Sequence, residues 1–120
     1  MVRRKAPRQG DVYWIDLNPV SGREMKGRHR FVVITSQRIN QLGLCMAVPV
    51  TSAGVHARES GLAVVIGGHE TNGVAVCNQV RSFDIESRVQ TGSARFIESL
   101  DKITTNDIVS KVLSVIDLQD

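Results

Sequence analysis

The sequence predicts a mainly β domain that ends in one α-helix. Five short runs of β-branched and apolar residues follow one another before any long helical pattern, and an amphipathic helical period comes only at the end. Because a short twisted sheet must close or be covered to hide its edges, we expect an antiparallel sheet curled into a small barrel. A chain of 120 residues suits a single core, so residues 1–120 are expected to form one domain, with 1–8 as a flexible basic arm.

The first two predicted strands flank a basic loop. Residues 11–17 are rich in β-branched and aromatic types and stop at Asn18-Pro19, whereas residues 31–35 form a continuous apolar run typical of a central strand buried on both faces. Between them, residues 21–30 hold four Lys/Arg and one Glu. A loop with this excess of positive charge either meets an anion or stays solvated.

Three further strands are predicted before the helix. They cover residues 44–51, 62–66 and 74–80, with a helical turn at 36–42 ahead of them. Pro49 lacks a backbone donor, which predicts that it lies at a sheet edge, at a bulge or at the end of the pairing.

The C-terminal pattern predicts a helix over residues 105–118. Thr104 to Asp107 resemble a helix start, and the apolar residues that follow recur on one face. Residues 81–103 are mixed, with a turn at 91–93 beside a short strand or helical turn.

Composition excludes several classes of protein. No apolar run reaches the roughly 20 residues needed to span a bilayer and the N-terminus lacks a signal core, so a cytoplasmic location is expected. Cys45 and Cys77 have apolar neighbours and are interpreted as small buried hydrophobes. Residues 1–60 carry ten Lys/Arg against four Asp/Glu, and residues 61–120 carry five against eight. This polarity favours an anionic partner for one face, although a solvated surface explains the charge equally well.

Several short motifs follow one another in a fixed order along nearly the whole chain. They are Gly10-Asp11-Val12-Tyr13-Trp14, Asn18-Pro19, Gly22-x-Glu24, Gly27-x-x-Arg30, Val48-Pro49-Val50-Thr51-Ser52, Gly54-Val55-His56-Ala57-Arg58 and Asn78-Gln79-Val80-Arg81. In this combination and order they resemble the MazF/PemK family of toxins from toxin-antitoxin modules, nearest its PemK/Kid and ChpB branch.

The resemblance implies an SH3-like β-barrel of the CcdB/Kid type, a homodimer, and a cognate antitoxin whose disordered C-terminal segment covers the RNA groove. It also implies a sequence-selective endoribonuclease, an mRNA interferase, that needs no cofactor or metal and cleaves single-stranded RNA. Inhibition of translation and growth, and a role in plasmid maintenance, follow from the same resemblance.

RNA cleavage without a metal uses the substrate's own 2′-hydroxyl and leaves a 2′,3′-cyclic phosphate and a 5′-hydroxyl end. Arg30 matches the family's catalytic arginine, and its guanidinium suits a phosphate, while Thr51 matches a threonine that donates to the same group. Glu24 is interpreted as the base or as a residue that orients the loop. His29 is the reserve base, because imidazole titrates near neutrality.

Two departures from the PemK/Kid branch leave the base open. Arg23 and Asn78 stand where that branch has a histidine and an aspartate, and the amide of Asn78 cannot accept the proton. The histidines and cysteines lack metal-ligand spacing, so no metal site is predicted. The residues predicted to contact RNA are Arg23, Lys26, Arg28, Ser52, Arg58, Asn78, Gln79 and Arg81.

Two alternatives remain at this point. One is a CcdB-like, non-enzymatic gyrase poison that uses the same barrel. The other is a catalytically impaired binding module that has kept the toxin fold.

Overall fold

A computed structural model describes residues 6–17, 27–52 and 61–117 of the chain. The elements in chain order are β1 (Asp11–Asp16), β2 (Arg28–Val33), α1 (Gln37–Asn40), β3 (Cys45–Thr51), β4 (Ala63–Ile66), β5 (Gly73–Val76), β6 (Arg81–Phe83), α2 (Ile85–Gln90), β7 (Ala94–Ser99) and α3 (Lys102–Val115).

The described strands form one seven-stranded antiparallel sheet in the order β4-β5-β3-β2-β1-β7, with β6 paired to β3 beside this path. One edge of β3 pairs with β5 through Val50 and Thr51 and with β6 through residues 45–47. Pro49 lies between these two segments, where the partner on that edge changes. The predicted fold class, mainly β with a C-terminal helix, is confirmed.

The sheet buries apolar side chains on both faces. Val12 and Val32 belong to a cluster that includes Ile108 and Val112 of α3. The residues next to them in the chain belong to a second cluster, in which Phe31 meets Phe83 edge-on with ring centroids 4.9 Å apart. Since successive strand residues point to opposite faces, the buried part of β2 is apolar on both faces, as the run at residues 31–35 predicts.

Two strand boundaries differ from the sequence prediction by three residues or more. β2 begins at Arg28, because residues 28–30 pair with β1 although they are polar. β5 ends at Val76, so Asn78 and Gln79 lie in the turn after it and not on the strand. Strand pairing is made by backbone N–H and C=O groups, so the polarity of the side chains does not by itself set where a strand begins or ends.

The region left unplaced by the sequence contains β6, α2 and β7. Helix α3 also begins earlier than predicted: the Asp101 side chain accepts a hydrogen bond from the Thr104 amide at 2.9 Å and caps the helix at Lys102. No helix in the described part of the chain is long and apolar enough to cross a membrane.

Candidate nucleic-acid interface

Arg30 lies near the end of β2, between Trp14 on β1 and Val50 on β3 in the sheet register. Its side chain is 32% exposed and reaches the connection between β4 and β5. There Nη1 donates to Thr71 Oγ1 at 3.0 Å, and Nη2 lies 3.6 Å from Glu70 Oε1. A planar guanidinium held in this way is oriented before any phosphate arrives, so less side-chain freedom is lost on binding.

Thr71 is completely buried and connects Arg30 to β7. Its amide donates to Glu98 Oε2 at 2.5 Å. Burial raises the pKa of Glu98, but hydrogen bonds from the Thr71 side chain and backbone, with the charge of His69, bring it below its usual value. A charged Glu98 thus fixes Thr71, which in turn fixes the guanidinium.

His69 extends this network to α3. Its Nε2 lies 2.6 Å from Asp101 Oδ1, the helix cap, and its Nδ1 lies 3.4 Å from Glu98 Oε1. The hydrogen bond to Asp101 raises the pKa of His69 above its usual value against the desolvation cost, and the negative charges of Glu98 and Asp101 add to the increase. Hydrogen bonds from Thr104 and His69 lower the pKa of Asp101.

Thr51 and His29 occupy the other face of the same sheet end. Val50 pairs with Arg30 and belongs to the cluster under α3, so the alternation of strand residues turns Thr51 to the opposite face, where it is half-buried. The register continued by one residue brings His29 beside Thr51. The structure therefore gathers the two at one strand end, with Arg30 across the sheet from them.

The remaining predicted RNA contacts are spread further along the sheet. Ser52, just after β3, is exposed, and so are Asn78 and Gln79. Arg81 pairs with Ala47, three residues back along β3 from Val50, which corresponds to roughly 10 Å along the strand. Its guanidinium carbon lies 5.5 Å from the Phe83 ring centroid, a packing contact that operates whether or not RNA is present.

Four predicted residues lie outside the described ranges of the chain. They are Arg23, Glu24, Lys26 and Arg58. Within the described ranges, no group of three or more His, Cys, Asp or Glu side chains could hold a metal ion.

The polar network that holds Arg30 is absent from the sequence prediction. His69, Glu70 and Thr71 stand in what reads as an ordinary Gly-rich turn, and Glu98 and Asp101 stand in the region left unplaced. A polar run of this kind in a turn is compatible with solvent exposure, so the sequence contains no local signal of the pairing. In the structure Thr71 is completely buried, which shows that this turn packs against the sheet and is not simply exposed to solvent.

These features define a small β-sheet protein that presents an oriented arginine at one end of its sheet, a group suited to an RNA phosphate. Residues 8–116 match the family described as PemK-like, MazF-like toxins of type II toxin-antitoxin systems. The chain belongs to this family.

Characterised relatives and solved structures agree with this assignment. The endoribonuclease PemK of Escherichia coli is 31% identical over 120 residues, which cover 97% of this chain and 87% of the relative. The endoribonuclease toxin MazF of Escherichia coli K12 is 37% identical over 93 residues, covering 76% and 80%. A crystal structure of MazF from Deinococcus radiodurans superimposes with a TM-score of 0.76 at 26% identity, covering 92% of this chain and 96% of the other. The predicted family and enzyme class, an endoribonuclease toxin, are confirmed over the gyrase-poison alternative.

Proposed function

We propose that this chain cleaves single-stranded mRNA without a metal, at selected sequences, and thereby inhibits translation and growth. The 2′-hydroxyl attacks the adjacent phosphate, and the products carry 2′,3′-cyclic phosphate and 5′-hydroxyl ends. The cytoplasm, where mRNA is translated, is the corresponding location. The observation that carries the proposal is the orientation of the half-exposed Arg30 guanidinium by Thr71 and Glu70 at the strand end.

Arg30 is assigned to the reacting phosphate. Its N–H groups match the phosphoryl oxygens, and they stabilise the negative charge that develops on those oxygens in the transition state. Glu70 is 66% exposed and 3.6 Å from Nη2, so a phosphate can displace this carboxylate at little desolvation cost.

Thr51 is assigned a hydrogen bond to the same phosphate from the opposite face of the strand end. An RNA that crosses the ends of β2 and β3 meets both faces, because the two residues are neighbours across one strand pair. Proton transfer is assigned to His29, which shares the face of Thr51, or to Glu24. Ser52, Asn78 and Gln79 are assigned to base and sugar contacts.

The test is incubation of the purified protein with mixed-sequence single-stranded RNA in EDTA. Wild type is expected to give cyclic-phosphate ends, and Arg30→Ala is expected to lose about 3 kcal/mol of transition-state stabilisation, a roughly hundredfold decrease in rate. Arg38→Ala removes an exposed arginine from α1 and serves as the matched control. Intact RNA with wild type would instead support the catalytically impaired binding module.

A cognate antitoxin is the proposed protein partner, with a disordered C-terminal segment that covers the RNA groove. The MazF of Deinococcus radiodurans has also been solved as a MazE-MazF complex, with a TM-score of 0.73 to this chain at 26% identity. The co-purified complex is expected to leave RNA intact until the antitoxin is removed. Undiminished cleavage by the complex would place the antitoxin away from the RNA site.

A homodimer is proposed from the exposed apolar side chains of the described residues. One group surrounds α1 and the start of β3, with Leu42 83% and Leu44 59% exposed, and another lies on α3, with Leu113 65% exposed. Light scattering after size exclusion is expected to give twice the chain mass. Leu42→Asp and Leu113→Asp identify which group forms the interface, and a monomer at all concentrations would contradict the proposal.

A further inference from the structure

One face of three neighbouring strands carries a row of arginines around the single tryptophan of the chain. Trp14 on β1 pairs in register with Arg30 on β2 and with Arg95 on β7. Arg28, two residues before Arg30, shares its face. The side chain of Trp14 is only half-buried.

Two of these arginines pack against the tryptophan. The guanidinium carbon of Arg28 lies 5.1 Å from the Trp14 ring centroid, and that of Arg95 lies 5.8 Å from it. Both distances are within the range of cation–π attraction. This attraction uses the face of the guanidinium, so the in-plane N–H edges that recognise phosphate oxygens are not consumed by it.

The described acidic residues balance the charge around the ring only in part. Arg28 has Asp16 as an ion-pair partner, at 3.7 Å, and both side chains contact solvent. No carboxylate of the described residues lies within 4.0 Å of the Arg95 guanidinium. Two cations held at one ring repel each other, so a bound anion lowers the repulsion between Arg28 and Arg95.

We infer that Arg95 and Arg28, positioned by Trp14, form a second phosphate subsite for the RNA chain beside the reacting phosphate at Arg30. Arg30 and Arg95 flank Trp14 on adjacent strands, so their Cα atoms lie roughly 10 Å apart. The subsite therefore binds a phosphate near the cleaved one and fixes the RNA across β7, β1 and β2. This inference rests on the proposed function and extends it to substrate positioning.

Trp14 provides a direct readout of binding. The probe is a short 2′-O-methyl oligoribonucleotide of mixed sequence, which lacks the nucleophile and is not cleaved. Its binding is expected to change Trp14 fluorescence. Arg95→Gln is expected to raise Kd about tenfold at low salt and to reduce the slope of log K against log salt by about 0.7, the value for one phosphate contact on a single strand.

The exposed Arg38 on α1 supplies the control, because Arg38→Gln makes the same charge change away from the row and is expected to leave Kd and slope unchanged. In cleavage assays Arg95→Gln is expected to raise KM about tenfold with kcat within a factor of two. Trp14→Phe retains a weaker aromatic face, so its Kd is expected to lie between those of wild type and Arg95→Gln. Because this variant lacks the tryptophan, its binding is followed by the anisotropy of a labelled probe.

Two results would contradict the subsite. The first leaves the proposed function intact, and the second contradicts it as well. If Arg95→Gln matches Arg38→Gln in Kd and salt slope while Arg30→Ala still slows cleavage roughly hundredfold, the subsite is wrong and the proposed function stands. If wild type neither binds the probe nor cleaves RNA, both are wrong.

Discussion

The hydroxyl of Thr71 orients the Arg30 side chain. It is completely buried, accepts a hydrogen bond from Arg30 Nη1 at 3.0 Å, and helps to keep Glu98 charged. Valine has nearly the same shape, so Thr71→Val removes these hydrogen bonds and leaves the packing intact. The guanidinium then loses the contact that fixes its direction.

The expected loss of stability in Thr71→Val depends on how well Arg30 and Glu98 are solvated or bonded without the hydroxyl. A hydrogen bond to a charged group contributes about 1.5–3 kcal/mol, but Arg30 is partly exposed and rehydrates, and Glu98 keeps its bond from the Thr71 amide. We expect Thr71→Val to lower the free energy of unfolding by about 2 kcal/mol, which for a domain of this size lowers Tm by about 8 °C. RNA cleavage is expected to decrease at least tenfold in kcat.

The matched variant is Thr71→Ser, which keeps the hydroxyl and deletes one methyl group. It is expected to lose about 1 kcal/mol of stability to the small cavity while retaining cleavage within about threefold. The two variants are compared by urea unfolding and by initial cleavage rates at the same temperature. If serine is as inactive as valine, or valine as active as wild type, the hydroxyl does not position Arg30.

Three further perturbations test other parts of the same structure. Glu70→Gln removes the carboxylate that competes with phosphate for Arg30 but leaves the hydrogen bond from Arg30 to Thr71, so affinity for the uncleavable oligonucleotide is expected to increase about threefold. A weaker affinity would mean that orientation of the guanidinium by Glu70 outweighs this competition. The hydrogen bond to Asp101 raises the pKa of His69, so the folded protein binds more protons than the unfolded chain above pH about 6.5. The contribution of His69 to stability is therefore fully present below that pH and decreases as the pH rises through the folded pKa. In urea unfolding followed against pH, His69→Gln is expected to lack this decrease. Ile108 of α3 is fully buried in the cluster that contains Val12 and Val32, so Ile108→Ala is expected to lower the free energy of unfolding in urea by about 3 kcal/mol. Ile103 on the same helix is 76% exposed, and Ile103→Ala is expected to change it by no more than about 0.5 kcal/mol. Equal effects would contradict the described packing of the helix.

The positions of Arg30, α3 and β7 show how much of the structure could be predicted from local sequence patterns. The motif identifies Arg30 and predicts it in the loop before the second strand, whereas the structure places it within β2, where this strand pairs with both β1 and β3. The start of α3 was misplaced by about three residues, because Asp101 and Thr104 form the cap while Thr104 to Asp107 show a similar pattern. The sequence leaves β7 open between a short strand and a helical turn, since its burial is partial and irregular along its length, which removes the alternation that marks a strand.

By itself, the sequence determined the fold class and the family and predicted which arginine binds phosphate, because these depend on the local order of residue types and on motif spacing. Only the tertiary structure decided what surrounds that arginine. Thr71 lies 41 residues from Arg30 and 27 from Glu98 along the chain, and Arg95 reaches Trp14 only through the pairing of β7 with β1. Sheet register sets such contacts, and register arises from the packing of all strands together, which no single stretch of sequence specifies.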